Sequence, residues 1–318
     1  MRELILGVDL GGTKILSGIA AKDGFILGKS RRLTPVGADP QQVIDTIIDD
    51  TAKLQEKSQV REEEITAVVI ATPGPLAFPE GIVRDSPNLG WEWVDFKKEL
   101  SQRFDRPVIV EKDTNMAVLG EYYFGRQRNC RELLYVTVST GVGAGIITGG
   151  KLYRGGAGGA GEVGHMVVEA GGVECNCGRK GCLEALASGA AITRRLDKML
   201  KQGRGQGILA CTADGEKPGP RELGMAARRG DGEASLLIAR VAEYLGIGLA
   251  NLVNIFNPGA IILGGGMMLG LKDLLLELIR DYVYQHAFSL NREELIIECT
   301  ELGEDVVLYG CIAAASEK

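Results

Sequence analysis

The order of apolar and polar positions along the chain predicts short strands that alternate with helices. An apolar strand near the start is followed by a tight turn and a second apolar strand, and the same arrangement returns near the middle of the chain. Stretches with apolar residues every three to four positions predict helices between them. The predicted strands are 4–10, 15–20, 67–71, 107–110, 133–138, 144–148 and 260–263, and the predicted helices are 41–54, 115–124 and 303–316.

The repeated hairpin indicates that the chain is built in two halves, and strands mixed with helices on both sides indicate an α/β fold. We predict a small N-terminal domain made of residues 1–115 and the C-terminal helix 303–318, with a larger domain of residues 116–302. Residues 201–221, rich in glycine and polar side chains, are predicted to be an exposed insertion between helices.

One uncharged stretch, residues 244–271, raises the question of a membrane span. Asn251, Asn254, Asn257 and Pro258 interrupt it, so it is better explained by a buried helix, a turn and a short strand. The start of the chain has neither the basic segment nor the apolar stretch of a signal peptide. We therefore expect a cytoplasmic protein that does not enter a membrane.

Charge and cysteine content narrow the function classes. The 318 residues carry a net charge of −6, which argues against an extended surface for nucleic-acid phosphates. The chain has seven cysteines, an odd number, and we find no secretion signal. A disulfide framework is therefore not expected, and the compartment is predicted to be reducing.

The first turn, Asp9-Leu10-Gly11-Gly12-Thr13-Lys14, has the chemistry of a phosphate-binding loop. Gly11 and Gly12 let backbone N–H groups face an anion, and Thr13 and Lys14 add a hydroxyl donor and a positive charge. Asp9 could orient a hydrated Mg²⁺. On its own the Gly-Gly pair is more typical of a plain hairpin turn, and the later motifs favour the phosphate-binding loop.

The second turn, Ser139-Thr140-Gly141-Val142-Gly143-Ala144-Gly145, repeats that chemistry. Its hydroxyls and exposed amides suit phosphate oxygens, although a glycine-rich hairpin without a ligand has the same sequence.

A cluster of His165, Cys175, Cys177 and Cys182 is the strongest local pattern. Three cysteines and one histidine form a closed tetrahedral donor set typical of structural zinc. A Cys175–Cys177 disulfide would be cramped and would leave one cysteine over, and a [4Fe–4S] cluster usually takes four cysteines. The remaining alternative is a set of scattered buried thiols.

Three acidic residues lie where a substrate could be held. Glu162 stands three residues before His165, and Glu184 two after Cys182, so the metal loop would fix both carboxylates. Each could instead be a solvated surface charge. Asp113 follows a predicted strand, where open α/β sheets place functional groups, but an aspartate there could equally be a helix N-cap.

Together these patterns resemble the ROK family of sugar kinases, of the actin–hexokinase superfamily, over nearly the whole chain. The match is most specific from Glu162 to His165 and from Cys175 to Glu184, and the segment Gly264-Gly265-Gly266 resembles the adenosine loop of the family. The resemblance implies a two-domain actin/hexokinase-like (ribonuclease H-like) fold with a cleft between the domains. It also implies a homodimer or homotetramer.

The resemblance implies an ATP-dependent hexose kinase that uses Mg²⁺ and a structural Zn²⁺, most like a glucokinase. Asp113 would be the catalytic base. The residues implied to contact the sugar are Gly74, Asn88, Lys112, Asp113, Glu162, His165 and Glu184. Those implied to contact ATP are Asp9, Gly11, Gly12, Thr13, Lys14, Thr140, Gly141, Gly264, Gly265 and Gly266. Kinases for N-acetylmannosamine, fructose or mannose, a polyphosphate donor, and a non-catalytic sugar-sensing regulator are the alternatives.

Lys112 departs from the family, in which the residue before the catalytic aspartate is usually an asparagine that contacts the sugar. The lysine could donate to a sugar hydroxyl itself, or it could point away and pair with Glu111 or another carboxylate. We expect direct donation. ROK repressors carry an N-terminal helix-turn-helix, for which we expect no room before a phosphate loop that starts at Asp9.

Overall fold

The strands and helices lie within residues 2–35, 37, 39–86, 89–213 and 215–316, the part of the chain that this computed structural model describes. The strands are β1 (Leu4–Leu10), β2 (Lys14–Ala21), β3 (Ile26–Leu33), β4 (Ile65–Thr72), β5 (Leu76–Ala77), β6 (Ile82–Ser86), β7 (Trp91–Asp95), β8 (Val108–Lys112), β9 (Leu133–Val138), β10 (Val142–Thr148), β11 (Lys151–Leu152), β12 (Ala260–Gly264) and β13 (Ile296–Cys299). The helices are α1 (Pro40–Ser58), α2 (Phe96–Ser101), α3 (Asp113–Phe124), α4 (Leu183–Ala187), α5 (Gly189–Lys201), α6 (Gln206–Leu209), α7 (Pro220–Arg228), α8 (Gly232–Phe256), α9 (Gly266–Gly270), α10 (Lys272–His286) and α11 (Val306–Ser316).

The chain forms two compact units. The first consists of Met1–Asn129, Gly145–Gly161 and Glu304–Lys318, and the second of Cys130–Ala144 and Glu162–Gly303. The boundary predicted after residue 115 differs from this division because it falls inside α3. That helix packs against α11 along its length and therefore belongs whole to the first unit.

The sheet of the first unit has the strand order β3-β2-β1-β4-β8. β1 runs antiparallel to β2 and parallel to β4, and β4 runs parallel to β8. Apolar side chains from these strands and from α1 form a continuous core. Because β1, β4 and β8 are parallel, the turn after β1, Gly74 after β4 and Asp113 after β8 all follow the same edge of the sheet, where open α/β sheets bind ligands.

Glycines lie where α11 packs against α3 and β1. A Cβ atom on Gly310 would overlap the Met116 carbonyl oxygen of α3, and one on Gly120 would overlap the Val306 carbonyl oxygen of α11. On the sheet side, a Cβ on Gly7 would come 3.0 Å from Cβ of Cys311. Close backbone approach of this kind requires residues without side chains, and it fixes α3 against α11.

In the second unit, β12 pairs in parallel with both β9 and β13. The long helix α8 packs against α10, α7 and α4. α8 is long and apolar enough by composition to cross a membrane, but 67% of its most apolar window is buried inside the structure. Its apolar residues therefore contribute to the core of the second unit.

The predicted elements recur with small shifts, and the alternation of strands and helices predicted from the pattern is confirmed. β1 and β9 have the predicted bounds, whereas α1 and α3 each begin before the predicted start. The predicted exposed insertion at 201–221 contains the short helix α6. The pattern missed β3 and the antiparallel sheet β5-β6-β7.

The close packing of α11 predicts that replacing a helix glycine with alanine lowers stability here, although the same change usually raises it. Gly310→Ala should lower the free energy of unfolding by at least about 2 kcal/mol, because the added methyl group has no space. An alanine in a helix interior would otherwise add about 1 kcal/mol of stability. Urea denaturation monitored by circular dichroism measures the difference.

Gly232→Ala in α8 is the matched control, because the position of its Cβ is open among the described residues. We expect this variant to be as stable as the parent or slightly more stable. A Gly310→Ala protein that is also unchanged or stabilised would show that the two helices do not need the glycine.

Candidate functional site

The turn between β1 and β2 is closed by its own backbone. The Gly11 N–H donates to the Lys14 carbonyl oxygen at 2.9 Å, and the Thr34 hydroxyl donates to the Gly11 carbonyl oxygen at 2.7 Å. Gly12 and Thr13 are exposed at the tip. Hydrogen bonds thus fix the base of the turn, and the residues at its tip are exposed, as an anion-binding turn requires.

Lys14 forms an ion pair with a residue of the first unit that is distant in sequence. The Lys14 ammonium donates to Glu304 Oε2 at 2.8 Å, and Arg31 contacts the same oxygen at 3.3 Å. Glu304 comes just before α11, so no local sequence pattern indicated this partner. The contact fixes the Lys14 side chain beside the turn.

Asp9, at the end of β1, has an altered acidity. Its pKa is raised from the usual 3.8 to about 7; burial is the largest cause, the negative charge of Asp113 adds to it, Lys14 opposes the rise, and Glu304 contributes a smaller increase. Two carboxylates, Asp9 and Asp113, are therefore close enough to interact. Perturbed acids of this kind are typical of functional sites.

Asp113 is the first residue of α3, and Lys112 occupies the N-cap position. The N-cap alternative for Asp113 is therefore off by one residue. Its Oδ1 accepts a hydrogen bond from the Thr114 N–H at 2.7 Å. A carboxylate in the first turn of a helix is favoured by the helix dipole.

Lys112 is buried and its ammonium donates to the Ala160 carbonyl oxygen at 2.6 Å. Its stem packs on Gly74, where a Cβ would come 3.1 Å from Cδ of the lysine. The neighbouring Glu111 accepts from Arg154 Nε at 2.7 Å. Sequence reasoning missed Arg154 and Ala160, because neither residue type stands out in a glycine-rich segment.

In the second unit, the turn between β9 and β10 contacts the residues around α4 and α5. The Gly189 N–H donates to the Ser139 carbonyl oxygen at 2.7 Å, and the Ala190 N–H donates to that of Thr140 at 3.2 Å. Glu184 Oε2 accepts from the Val142 N–H at 2.9 Å and lies against Gly141. The carboxylate expected to hold sugar thus also holds the second turn.

The glycines after β12 stand where side chains do not fit. A Cβ on Gly264 would overlap the Tyr135 hydroxyl, and Gly265, with φ of 89°, would bring a Cβ within 2.6 Å of the Val138 carbonyl oxygen. The chain turns at these residues and enters α9 at Gly266. The predicted adenosine loop is therefore a sharp backbone turn between β12 and α9.

The side chains of His165, Cys175, Cys177 and Cys182 converge, with their donor atoms all within 4.8 Å of one another. Cys175 Sγ lies 3.8 Å from His165 Nδ1, and Cys177 Sγ lies 3.7 Å from Cys182 Sγ. Sulfurs bound to one tetrahedral zinc at 2.3 Å stand about 3.8 Å apart. The donor set therefore fits a zinc ion in both chemistry and spacing.

The thiols in this cluster differ in acidity. Burial raises the pKa of Cys182 to about 12, whereas the backbone N–H of Arg179 lowers the pKa of Cys177.

Glu162 precedes the short turn Val163–His165, and its carbonyl oxygen accepts from the His165 N–H at 3.1 Å. Glu162 and His165 are thus joined by one helical turn, as their spacing predicts.

The segment 165–182, which carries the cysteine and histidine cluster, also contacts α8. Glu169 accepts a hydrogen bond from the Tyr244 hydroxyl at 2.7 Å and contacts Arg240 at 3.4 Å. The guanidinium of Arg240 lies over the Tyr244 ring, 4.6 Å from its centroid. These residues were missed because they are about 70 positions apart.

The predicted site residues therefore fall into two sets. In the first unit the structure brings together Asp9, the first turn, Lys14, Lys112, Asp113 and Gly74, and in the second it brings the second turn to Glu184 and Glu162 to the cluster. Asn88, predicted to contact sugar, lies outside the described residues.

Residues 5–318 match the family model described as "ROK family". The chain belongs to the ROK family. This ROK protein is 35% identical to a glucokinase of Thermotoga maritima over 99% of this chain and 98% of the relative. It is 34% identical to a xylose repressor of Caldicellulosiruptor bescii over 97% of this chain and 77% of the repressor.

Among solved structures, the ROK protein superposes on a ROK family glucokinase from Streptomyces griseus in complex with glucose and AMPPNP. The TM-score is 0.83 at 32% identity, covering 98% of each chain. The predicted family and the mixed α/β, actin/hexokinase-like fold class are confirmed. The family contains both kinases and repressors, so membership alone does not decide between them.

The acidity of Asp9 predicts a pH effect in protein free of nucleotide and divalent metal. The folded state keeps a proton that the unfolded chain releases above its usual pKa of 3.8, so the contribution of Asp9 to stability falls as the pH rises from there to about 7. Carbon-detected NMR of the Asp9 carboxyl group measures its pKa directly.

Two variants give opposite shifts. Asp113→Asn should lower the pKa of Asp9 because a negative neighbour is removed, and Lys14→Met should raise it because a positive neighbour is removed. Shifts in the same direction in both variants would contradict this arrangement of charges.

Proposed function

We propose that this ROK protein is an ATP-dependent hexokinase that converts glucose to glucose 6-phosphate. The observation that carries the proposal is the placing of Asp113 beside Asp9 and the turn that ends in Lys14. A carboxylate base next to a phosphate-type turn is what phosphoryl transfer to a hydroxyl requires. The glucose and AMPPNP in the Streptomyces griseus relative support the choice of substrates.

In the proposed mechanism, Asp113 accepts the proton of the attacking sugar hydroxyl as the γ-phosphoryl group is transferred. Lys14 and the N–H groups of the turn would contact phosphate oxygens, in part replacing the contact between Lys14 and Glu304. Asp9 would hold a hydrated Mg²⁺, which neutralises phosphate charge when bound. The protein positions and polarises the reactants, and general-base catalysis contributes about 10²–10⁴-fold.

His165, Cys175, Cys177 and Cys182 would hold a structural zinc, which ties the loop together when bound. Nδ1 of His165 faces Cys175, so Nε2 is the ring nitrogen left to contact a sugar hydroxyl. Glu162 and Glu184 would accept hydrogen bonds from other hydroxyls. The cytoplasmic location, the homodimer or homotetramer and the absence of a nucleic-acid partner stay predictions.

A sugar-responsive regulator is the second candidate, favoured by the 34% identity to a xylose repressor. Release of ADP measured with glucose, mannose, fructose, N-acetylmannosamine and xylose separates the two functions. A sugar that raises the melting temperature without any ADP release, from ATP or with polyphosphate as donor, would favour the regulator and contradict the kinase.

Asp113→Asn tests the catalytic base. The variant keeps the size of the side chain and loses its basicity, so kcat should fall by about 10²-fold or more while glucose still binds. Steady-state kinetics and calorimetric titration with glucose measure the two effects.

Asp95→Asn is the matched control, because Asp95 also stands at the start of a helix in the first unit and accepts from the Lys98 N–H. We expect its kcat to stay at the parent value. An Asp113→Asn enzyme with the parent turnover would exclude Asp113 as the base.

The zinc proposal is tested by the metal content of the purified protein. The parent should carry about one zinc per chain, and Cys177→Ser should lose most of it because one donor of the tetrahedral set is replaced. Cys211→Ser, which changes a thiol outside the cluster, should keep the metal. Equal zinc content in all three proteins, measured by plasma mass spectrometry, would contradict the assignment of Cys177 as a zinc ligand.

A further inference from the structure

The segment Arg154–Gly161 is a glycine-rich loop of the first unit that leads directly into Glu162. Five of its eight residues are glycines, at positions 155, 156, 158, 159 and 161. Glycine has the largest conformational freedom of any residue, so such a loop is disordered unless it is held from outside. The contacts that hold this loop therefore determine the position of Glu162.

The loop is closed on itself at its ends. The Ala160 N–H donates to the Arg154 carbonyl oxygen at 3.1 Å. Gly158, with φ of 78°, packs on the Leu76 carbonyl oxygen, which a Cβ would approach to 2.8 Å. Both contacts are made by backbone groups.

Two consecutive residues at the end of β8 hold both ends of this loop. Glu111 binds Arg154 through Nε at 2.7 Å, and Lys112 donates to the Ala160 carbonyl oxygen at 2.6 Å. Arg154 also lies over the Phe78 ring, 4.0 Å from its centroid. Both Glu111 and Lys112 are buried, which strengthens hydrogen bonds to charged groups.

We infer that Lys112 is a positioning residue for sugar binding, which acts through Ala160 by anchoring the loop that carries Glu162. This replaces the expectation that the ammonium reads a sugar hydroxyl directly. The lysine immediately precedes Asp113, so a single strand end fixes the base and anchors the loop. The inference rests on the proposed sugar kinase function, which supplies the role of Glu162.

Lys112→Met tests the anchor, because it keeps the stem that packs on Gly74 and removes the donor. Deuterium uptake by peptides covering residues 153–162 should increase in the sugar-free protein, since the loop loses its tie at Ala160. The KM for glucose should rise by about 10-fold, the effect of losing one hydrogen bond to a charged group. The kcat and the KM for ATP should change by less than about 3-fold.

Arg154→Met separates anchoring from direct reading of the sugar. It cuts the other end of the loop, so it should raise both the deuterium uptake and the KM for glucose as Lys112→Met does. Lys97→Met is the matched control, because Lys97 also packs on a glycine and donates to a backbone carbonyl, that of Pro79 at 3.0 Å. It should leave both quantities unchanged.

Unchanged deuterium uptake in Lys112→Met would overturn the anchor, and faster uptake with an unchanged KM for glucose would overturn the positioning role. A raised KM in Lys112→Met together with a parent-like KM in Arg154→Met would show that the lysine reads the sugar itself. If the parent protein phosphorylates no sugar, the proposed function fails, and the exchange experiment still decides whether Lys112 holds the loop.

Discussion

The close contact of α3 with α11 is the constraint on which the first unit depends. Gly120 and Gly310 let the two backbones approach without side chains between them. α3 begins at Asp113, and the residues that precede α11 contact Lys14 and Lys29. One packing contact therefore fixes the candidate base relative to the turn that would hold phosphate. Small errors in such a distance have large effects on phosphoryl transfer, because the protein contributes mainly by positioning the reactants.

The end of β8 shows how few residues this arrangement uses. Glu111 binds Arg154, Lys112 binds the Ala160 carbonyl oxygen, and Asp113 interacts with Asp9. Each of the three has a different partner because the chain passes from strand to helix at this point, and the side chains leave the backbone in different directions. The buried carboxylate and ammonium are stabilised by these partners, since an unpaired buried charge would be strongly unfavourable. The same contacts thus give these buried groups hydrogen-bond partners and join the end of β8 to both ends of the segment Arg154–Gly161.

The parts that sequence reasoning found are those with a local cause. The turn after β1 and the cluster of three cysteines and one histidine each lie within a short stretch, where spacing and residue type decide the geometry. The contact of Lys14 with Glu304 joins residues 290 positions apart, and no local pattern could indicate it. β3 was missed because Lys29, Arg31 and Arg32 obscure its alternation at the edge of the sheet. A functional role for Lys112 was expected because it precedes Asp113. Its partner could not be predicted, because Ala160 lies 48 positions away and accepts through its backbone carbonyl oxygen.

The electrostatics of the first unit are the feature on which the proposal of catalysis rather than sugar sensing rests. Sequence identity does not separate the two, because a glucokinase and a repressor match this chain at 35% and 34%. A regulator needs a pocket for sugar, and nothing in that task requires two interacting carboxylates beside a lysine. Here burial and Asp113 raise the pKa of Asp9 to about 7, so the ionised pair destabilises the ligand-free protein near neutral pH. A divalent cation carried by a nucleotide would relieve this repulsion, which is the role that the proposed kinase function gives to Asp9.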